Sequence, residues 1–179
     1  MSFLYFAYGS NMLPARLTAR CPSARVTGAA VAPGWRVAFG KHGRDGSGKA
    51  TLIADAGGRA PGMLFRIGKD DLPALDRAEG VGKGYDRRDD LRIEAEGGGL
   101  AAVSYVAPHP RPGLMPFDWY LALVVAGAEL GGLAPAHVAA LRRQGWRADP
   151  EPDRLGRSAA LRALAAHGRA DVAAVLAGR

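Results

Sequence analysis

The chain has 179 residues, of which 48% are apolar, enough for one domain with a substantial core and short for two. Its formal charge of +7 raises the question of nucleic acid, but arginines are interleaved with acids, as in Asp86-Arg-Arg-Asp-Asp-Leu-Arg92, so no nucleic-acid partner is expected. A single cysteine, Cys21, excludes an internal disulfide and a cysteine-rich zinc site, and four scattered histidines add no ligand spacing, so neither metal nor cofactor is implied.

Phe3, Leu4, Tyr5 and Phe6 are large and apolar or aromatic, which suits a buried strand, and Gly9-Ser10-Asn11 breaks it. With no basic flank and only a short apolar run, this start reads as neither signal peptide nor membrane span, and a cytoplasmic protein without a membrane partner is expected. A glycine at the break can take a positive φ and let neighbouring N–H groups converge on an anion or oxyanion. An ordinary turn is the alternative reading. Asn11 is placed to cap a short helix through Met12, Leu13, Arg16 and Leu17 that ends near Cys21-Pro22.

Four short strands follow, Val26 to Val31, Trp35 to Phe39, Thr51 to Ala54 and Gly62 to Ile67, separated by Pro33-Gly34, a glycine-rich loop and Gly57-Gly58. Lys69 to Glu79 reads as a helix with acids in its first turn and Gly80 as its stop. Asp89 to Glu96 and Leu100 to Ala107 flank Gly97-Gly98-Gly99 as a hairpin. Helices are expected over Pro116 to Leu130 and Pro135 to Gln144, then an alanine-rich amphipathic tail from Ser158 to Leu176, broken at Gly168. Strands before, between and after helices, without a βαβ rhythm, predict an α+β fold: a small curved, mostly antiparallel sheet or barrel flanked by a few helices. Residues 1–150 form it, and 151–179 are a helical tail of the same domain that leaves the body at Asp149 to Asp153. Leu161, Leu164 and Val172 on that tail would pack on the body or on a second copy, so a homodimer stays open.

Few residues suggest chemistry on their own. Glu79 follows Leu72 and Leu75 at i+7 and i+4 on the helix, which puts a carboxylate on the face that looks toward the core. Burying a carboxylate costs several kcal/mol unless it is paired or protonated. The plainer alternative is a solvated Glu79 at the helix end, or one paired with Arg88. Tyr120, at helical spacing among apolar residues, reads as a core aromatic. Gly43-Arg-Asp-Gly-Ser-Gly-Lys49 fits the first seven positions of a phosphate-binding loop, but Ala50 stands where a Ser or Thr hydroxyl is needed and a strand follows where a helix should begin. It is read as a flexible hairpin loop. Ser10 lacks the Gly-x-Ser-x-Gly setting of a serine nucleophile.

Phe3-Leu-Tyr-Phe-Ala-Tyr-Gly-Ser-Asn11 resembles the opening motif of the γ-glutamylcyclotransferase family. Leu75-Asp-Arg-Ala-Glu-Gly80, followed by Gly84-Tyr85 and a basic strand, is similar to the family's second motif, and the helix bearing Tyr120, with Gly131-Gly-Leu133 at its end, to a third. The resemblance runs from about Ser2 to Gly145. It implies an enzyme that releases 5-oxoproline from a γ-glutamyl amide, with Glu79 as general acid and base. The implied substrate contacts are Tyr5, Phe6, Ala7, Tyr8, Gly9, Ser10, Asn11 and Tyr120. No cofactor is implied. The insertion-like Val81-Gly-Lys83 and the long tail leave the departing amine open: an amino acid, a lysine isopeptide, a polyamine or an antibiotic intermediate. The rivals are a non-catalytic protein that binds a γ-glutamyl metabolite and a basic nucleic-acid binder.

Overall fold

The computed structural model describes residues 1–178. Five strands, β1 (Ser2–Ala7), β2 (Arg25–His42), β3 (Gly48–Gly68), β4 (Asp86–Ala95) and β5 (Gly98–Val106), close into a barrel in the order β1-β3-β2-β4-β5. All pairings are antiparallel except the closing one, where β1 meets β5 in parallel at Tyr5 and Val103. The Ser104 hydroxyl donates to the Phe6 carbonyl at 2.9 Å across this closure. The expected α+β class with a curved, mostly antiparallel sheet is the fold observed.

The four short strands expected between Val26 and Ile67 are two long arms of one hairpin. Pro33 pairs with Arg59 inside β2, and the register shifts between Pro33 and Trp35. A proline next to a bulge forfeits no essential ladder bond, and Gly34, at φ +80°, takes up the extra residue. Pro-Gly and Gly-Gly therefore bend strands here rather than end them. Of the segment Gly43 to Lys49, residues 43–47 are the turn of this hairpin, and Gly48 and Lys49 already pair with His42 and Lys41. Asp45 ties it together, accepting from the Ser47 N–H and hydroxyl and, at 2.7 Å, from Lys49 Nζ.

The helices are α1 (Pro14–Thr18), α2 (Leu72–Glu79), α3 (Asp118–Leu130), α4 (Pro135–Arg142), α5 (Leu155–Ala165) and α6 (Val172–Ala177). Short 3₁₀ turns precede α1 at Ser10–Met12 and α2 at Lys69–Asp71. Asn11 does not cap α1. It lies within the 3₁₀ turn, and the cap position falls to Leu13, before Pro14 at the helix start. Gly80, at φ +69°, stops α2 as expected.

Every residue of α3 from Trp119 to Ala128 is buried, because the barrel and its opening turn lie on one side while α4, α5 and α6 cover the other. Leu164 and Val175 of the tail are buried, and Leu161 and Val172 are partly buried against the same core. The apolar stripe of the tail thus packs on the body. Among the described residues no helix is long and apolar enough to cross a membrane.

Candidate active site

The end of β1 delivers Tyr5 and Tyr8 to the barrel mouth, where Gly9 turns the chain into the 3₁₀ turn that holds Ser10 and Asn11. Gly9 has φ −121°, so the positive φ expected there is absent. Closeness requires the glycine instead: a Cβ would lie 3.0 Å from the Ala50 Cβ and 3.4 Å from the Tyr120 hydroxyl. No acceptor among the described residues takes the N–H of Gly9 or Ser10, which leaves two backbone donors at the turn.

Helix α2 brings Glu79 to the same place. Three residues earlier, Asp76 accepts from the Tyr105 hydroxyl and from Arg87 Nη1, both at 2.7 Å, which pins the helix to β4 and β5. The Glu79 side chain is 14% exposed and is neither solvated nor paired with Arg88. Asn11 Nδ2 donates to Glu79 Oε1 at 2.8 Å, and Arg20 Nη1 donates to the same oxygen at 3.1 Å. Arg20 Nη1 also donates to Asn11 Oδ1, and Asn11 Nδ2 to the Tyr5 hydroxyl, each at 2.9 Å. The carboxylate is thus compensated rather than left among leucines. Both donors converge on Oε1, so Oε2 has no partner among the described residues.

The opposite wall is built on one strand residue. Tyr120 of α3 accepts a hydrogen bond from the Ala50 N–H at 3.0 Å, and Tyr85 donates to the Ala50 carbonyl at 2.6 Å. Tyr8 donates to the Tyr105 carbonyl. These residues enclose an inner cavity of about 30 Å³, roughly one water, whose wall includes Tyr5, Ser10, Asn11, Glu79, Tyr85 and Tyr120. Outside it opens a vestibule of about 600 Å³ that shares Ser10, Glu79, Tyr85 and Tyr120.

Of the residues expected from sequence, Tyr5, Tyr8, Gly9, Ser10, Asn11, Glu79 and Tyr120 line the inner cavity. Phe6 and Ala7 do not. Phe6 is fully buried, and both pack against Gly62, whose absent side chain makes room for the Phe6 ring and the Ala7 carbonyl. Strand alternation puts Phe6 on the other face from Tyr5. Sequence reasoning missed Arg20, Tyr85 and Tyr105. Arg20 follows a short helix with no spacing that marks it, whereas Gly84-Tyr85 did carry a signal as part of the second motif. Among the described residues, no group of three or more His, Cys, Asp or Glu is placed to hold a metal ion.

All five tyrosines of the chain are buried here. Burial pushes the Tyr120 hydroxyl up to about 12, with the Ala50 N–H pulling the other way. Burial raises Tyr5, Tyr8, Tyr85 and Tyr105 as well, with the Glu79 charge adding to each. An unfolded tyrosine releases its proton near pH 10, so above that pH the native state holds more protons than the unfolded one. The tyrosines therefore cost no stability below about pH 10, and stability falls as pH rises from there through 12, by up to ~1.4 kcal/mol per pH unit for each tyrosine. Tyrosinate absorbance is expected to appear cooperatively, together with loss of secondary structure; a gradual titration near pH 10 in a folded protein would contradict the burial.

The family model described as gamma-glutamyl cyclotransferase, AIG2-like, matches residues 5–121. The γ-glutamylcyclotransferase of Bos taurus is 31% identical over 142 residues, 74% of this chain and 73% of that protein, and that of Homo sapiens matches to the same extent. A solved gamma-glutamyl cyclotransferase structure superposes with a TM-score of 0.80 at 25% identity, covering 88% of this chain and 96% of its own. The crystal structure of YkqA from Bacillus subtilis gives 0.70 at 28% identity, over 79% of this chain and 53% of that one.

Proposed function

Since the chain belongs to the γ-glutamyl cyclotransferase, AIG2-like family and is an enzyme of that type, we propose that it releases 5-oxoproline from a γ-glutamyl amide with Glu79 as general acid and base. The observation that carries this reading is the state of the Glu79 carboxylate: Oε1 is held by Asn11 and Arg20, while Oε2 is unengaged in the wall of the cavity.

The substrate's α-amine arrives as an ammonium, which has no lone pair. Oε2 takes one proton from it. The freed nitrogen attacks the γ-carbonyl carbon, closing a five-membered ring and moving the carbonyl π electrons onto oxygen. That oxyanion needs donors that do not have to reorganise, and the N–H groups of Gly9 and Ser10 are free for this role. The tetrahedral intermediate collapses, the C–N bond to the departing amine breaks, and Glu79 returns its proton to that nitrogen. The second proton of the attacking nitrogen is lost to solvent as the ring amide forms, and the neutral amine regains one outside. A positioned acid and base contributes about 10²–10⁴-fold. Holding the flexible γ-glutamyl chain in its ring-closing shape adds to that, and the tyrosines around Ala50 form the rigid wall for it.

The test is 5-oxoproline release from a panel of γ-glutamyl amino acids and γ-glutamyl amines by the wild-type protein. Turnover of at least one member is expected. A protein that binds a panel member tightly and releases nothing would instead be a binder of γ-glutamyl metabolites.

A further inference from the structure

The charge of the vestibule is one-sided. Among the described residues, Asp45 and Glu79 are its only acidic lining residues, and both are engaged, Asp45 with Lys49 and Glu79 with Arg20. Arg154, at the rim, is held by Asp149 at 2.8 Å and Glu151 at 2.9 Å. Five further lining cations, Arg16, Lys41, Arg44, Arg77 and Lys83, have no acidic partner among the described residues.

Two of the five are not ordinary solvated surface charges. Arg16 Nε is buried without a hydrogen-bond acceptor, a state that costs free energy until an acceptor arrives. Burial and the neighbouring Arg20 guanidinium push Arg16 down to about 10. Lys41 is partly buried, with its ammonium 5.1 Å from the centre of the Tyr85 ring and beside Gly84, where a Cβ would come within 3.2 Å of Nζ. Burial lowers its proton affinity too. Both line the vestibule, and Lys41 does so beside Tyr85, which the inner cavity shares.

We infer that the departing amine of the substrate carries two or more negative charges, as in an acidic amino acid or a short acidic peptide linked through its nitrogen to the γ-glutamyl group. This rests on the cyclotransferase reading, which places the scissile amide beside Glu79 on the wall that both spaces share; the inner cavity holds about one water, so the departing group lies in the vestibule. The space is ample for such a group, and the uncompensated field attracts anions and repels cations. A single carboxylate engages only part of that cluster. A polyamine would put a positive charge among five others, and a lysine joined through its side-chain nitrogen, whose free α-ammonium offsets its carboxylate, would bring no net negative charge. The same field favours neither.

The experiment compares 5-oxoproline release from γ-glutamyl-glutamate, γ-glutamyl-alanine and γ-glutamyl-putrescine, at low and high salt. The order of kcat/KM is expected to be glutamate, alanine, putrescine. The first should lead the second by about tenfold at low salt, and the gap should narrow as salt screens the vestibule. Lys41→Met should cut the rate with γ-glutamyl-glutamate more than that with γ-glutamyl-alanine. Arg44→Ser, at an exposed loop position whose change does not threaten folding, should do so more mildly. Turnover with equal rates, or with the order reversed, overturns the charge preference and leaves the cyclotransferase reading intact. No turnover from any of the three, in a protein shown to be folded, overturns both.

Discussion

Glu79→Gln is expected to lower kcat by about 10²–10⁴-fold with a much smaller change in KM. Glutamine keeps the length of the side chain and an oxygen that Asn11 and Arg20 can still reach, so the site geometry persists. What disappears is an atom able to take a proton from the substrate ammonium. Arg20 loses its anion, and with its side chain only 22% exposed the variant should also lose about 1–3 kcal/mol of stability. Steady-state kinetics alongside a thermal melt separates the two effects. A variant with wild-type kcat would remove Glu79 from the chemistry, and a variant that fails to melt cooperatively would assign it to folding.

Gly127→Ala is expected to be among the most damaging single methyl additions in the chain. On propensity alone, alanine in a helix interior is favoured over glycine by about 1 kcal/mol. The location reverses the sign. A Cβ at 127 would lie 2.6 Å from the Leu13 nitrogen, 2.7 Å from the Met12 Cβ and 2.8 Å from the Met12 carbonyl carbon. These are backbone or backbone-proximal atoms that cannot rotate aside, unlike the tip of a flexible side chain. Overpacking of this kind costs about 1–3 kcal/mol and occasionally more, and here α3 or the turn has to move bodily. A net loss near 2 kcal/mol corresponds to a fall in Tm of roughly 4–8 °C for a chain of this size. The displaced turn is the one that carries Ser10 and Asn11, so kcat/KM should fall beyond what the loss of folded protein explains. An unchanged melting temperature would mean that the close approach of α3 to the turn is absent in solution.

Much was legible in the chain itself. The apolar strand that leads into Gly9-Ser10-Asn11, the helix that stops at Gly80 and the hairpin around Gly97 to Gly99 each follow from local rules, side-chain period and the backbone freedom of glycine, whereas the acids expected in the first turn of that helix lie in the 3₁₀ turn before it. Glu79 stood out because a carboxylate on a leucine face contradicts its pattern. The motifs supplied Tyr120, which periodicity alone assigns to the core, and in the structure it belongs to both core and cavity. The misreadings are equally physical. Pro33-Gly34 and Gly57-Gly58 end strands in an isolated segment, but a neighbouring strand can absorb the irregularity as a bulge, and only pairing shows which occurs. Phe6 and Ala7 share a motif with Tyr5 and Tyr8 and stand in the core beside the cavity, packed against Gly62, a placement that only the folded barrel shows.

The sequence by itself determined the fold class, most of the elements, the family and the candidate carboxylate, because the signals for these lie in residues close together along the chain. Only the tertiary structure decided what surrounds that carboxylate. Arg20 reaches Glu79 across 59 positions, Tyr85 reaches Ala50 across 35, and Lys41 meets Tyr85 only because the long hairpin folds over the mouth of the barrel. The charge of the vestibule is likewise a property of the fold. Its cations are scattered along the sequence among acids, and it is the pairing of those acids elsewhere that leaves one face uncompensated.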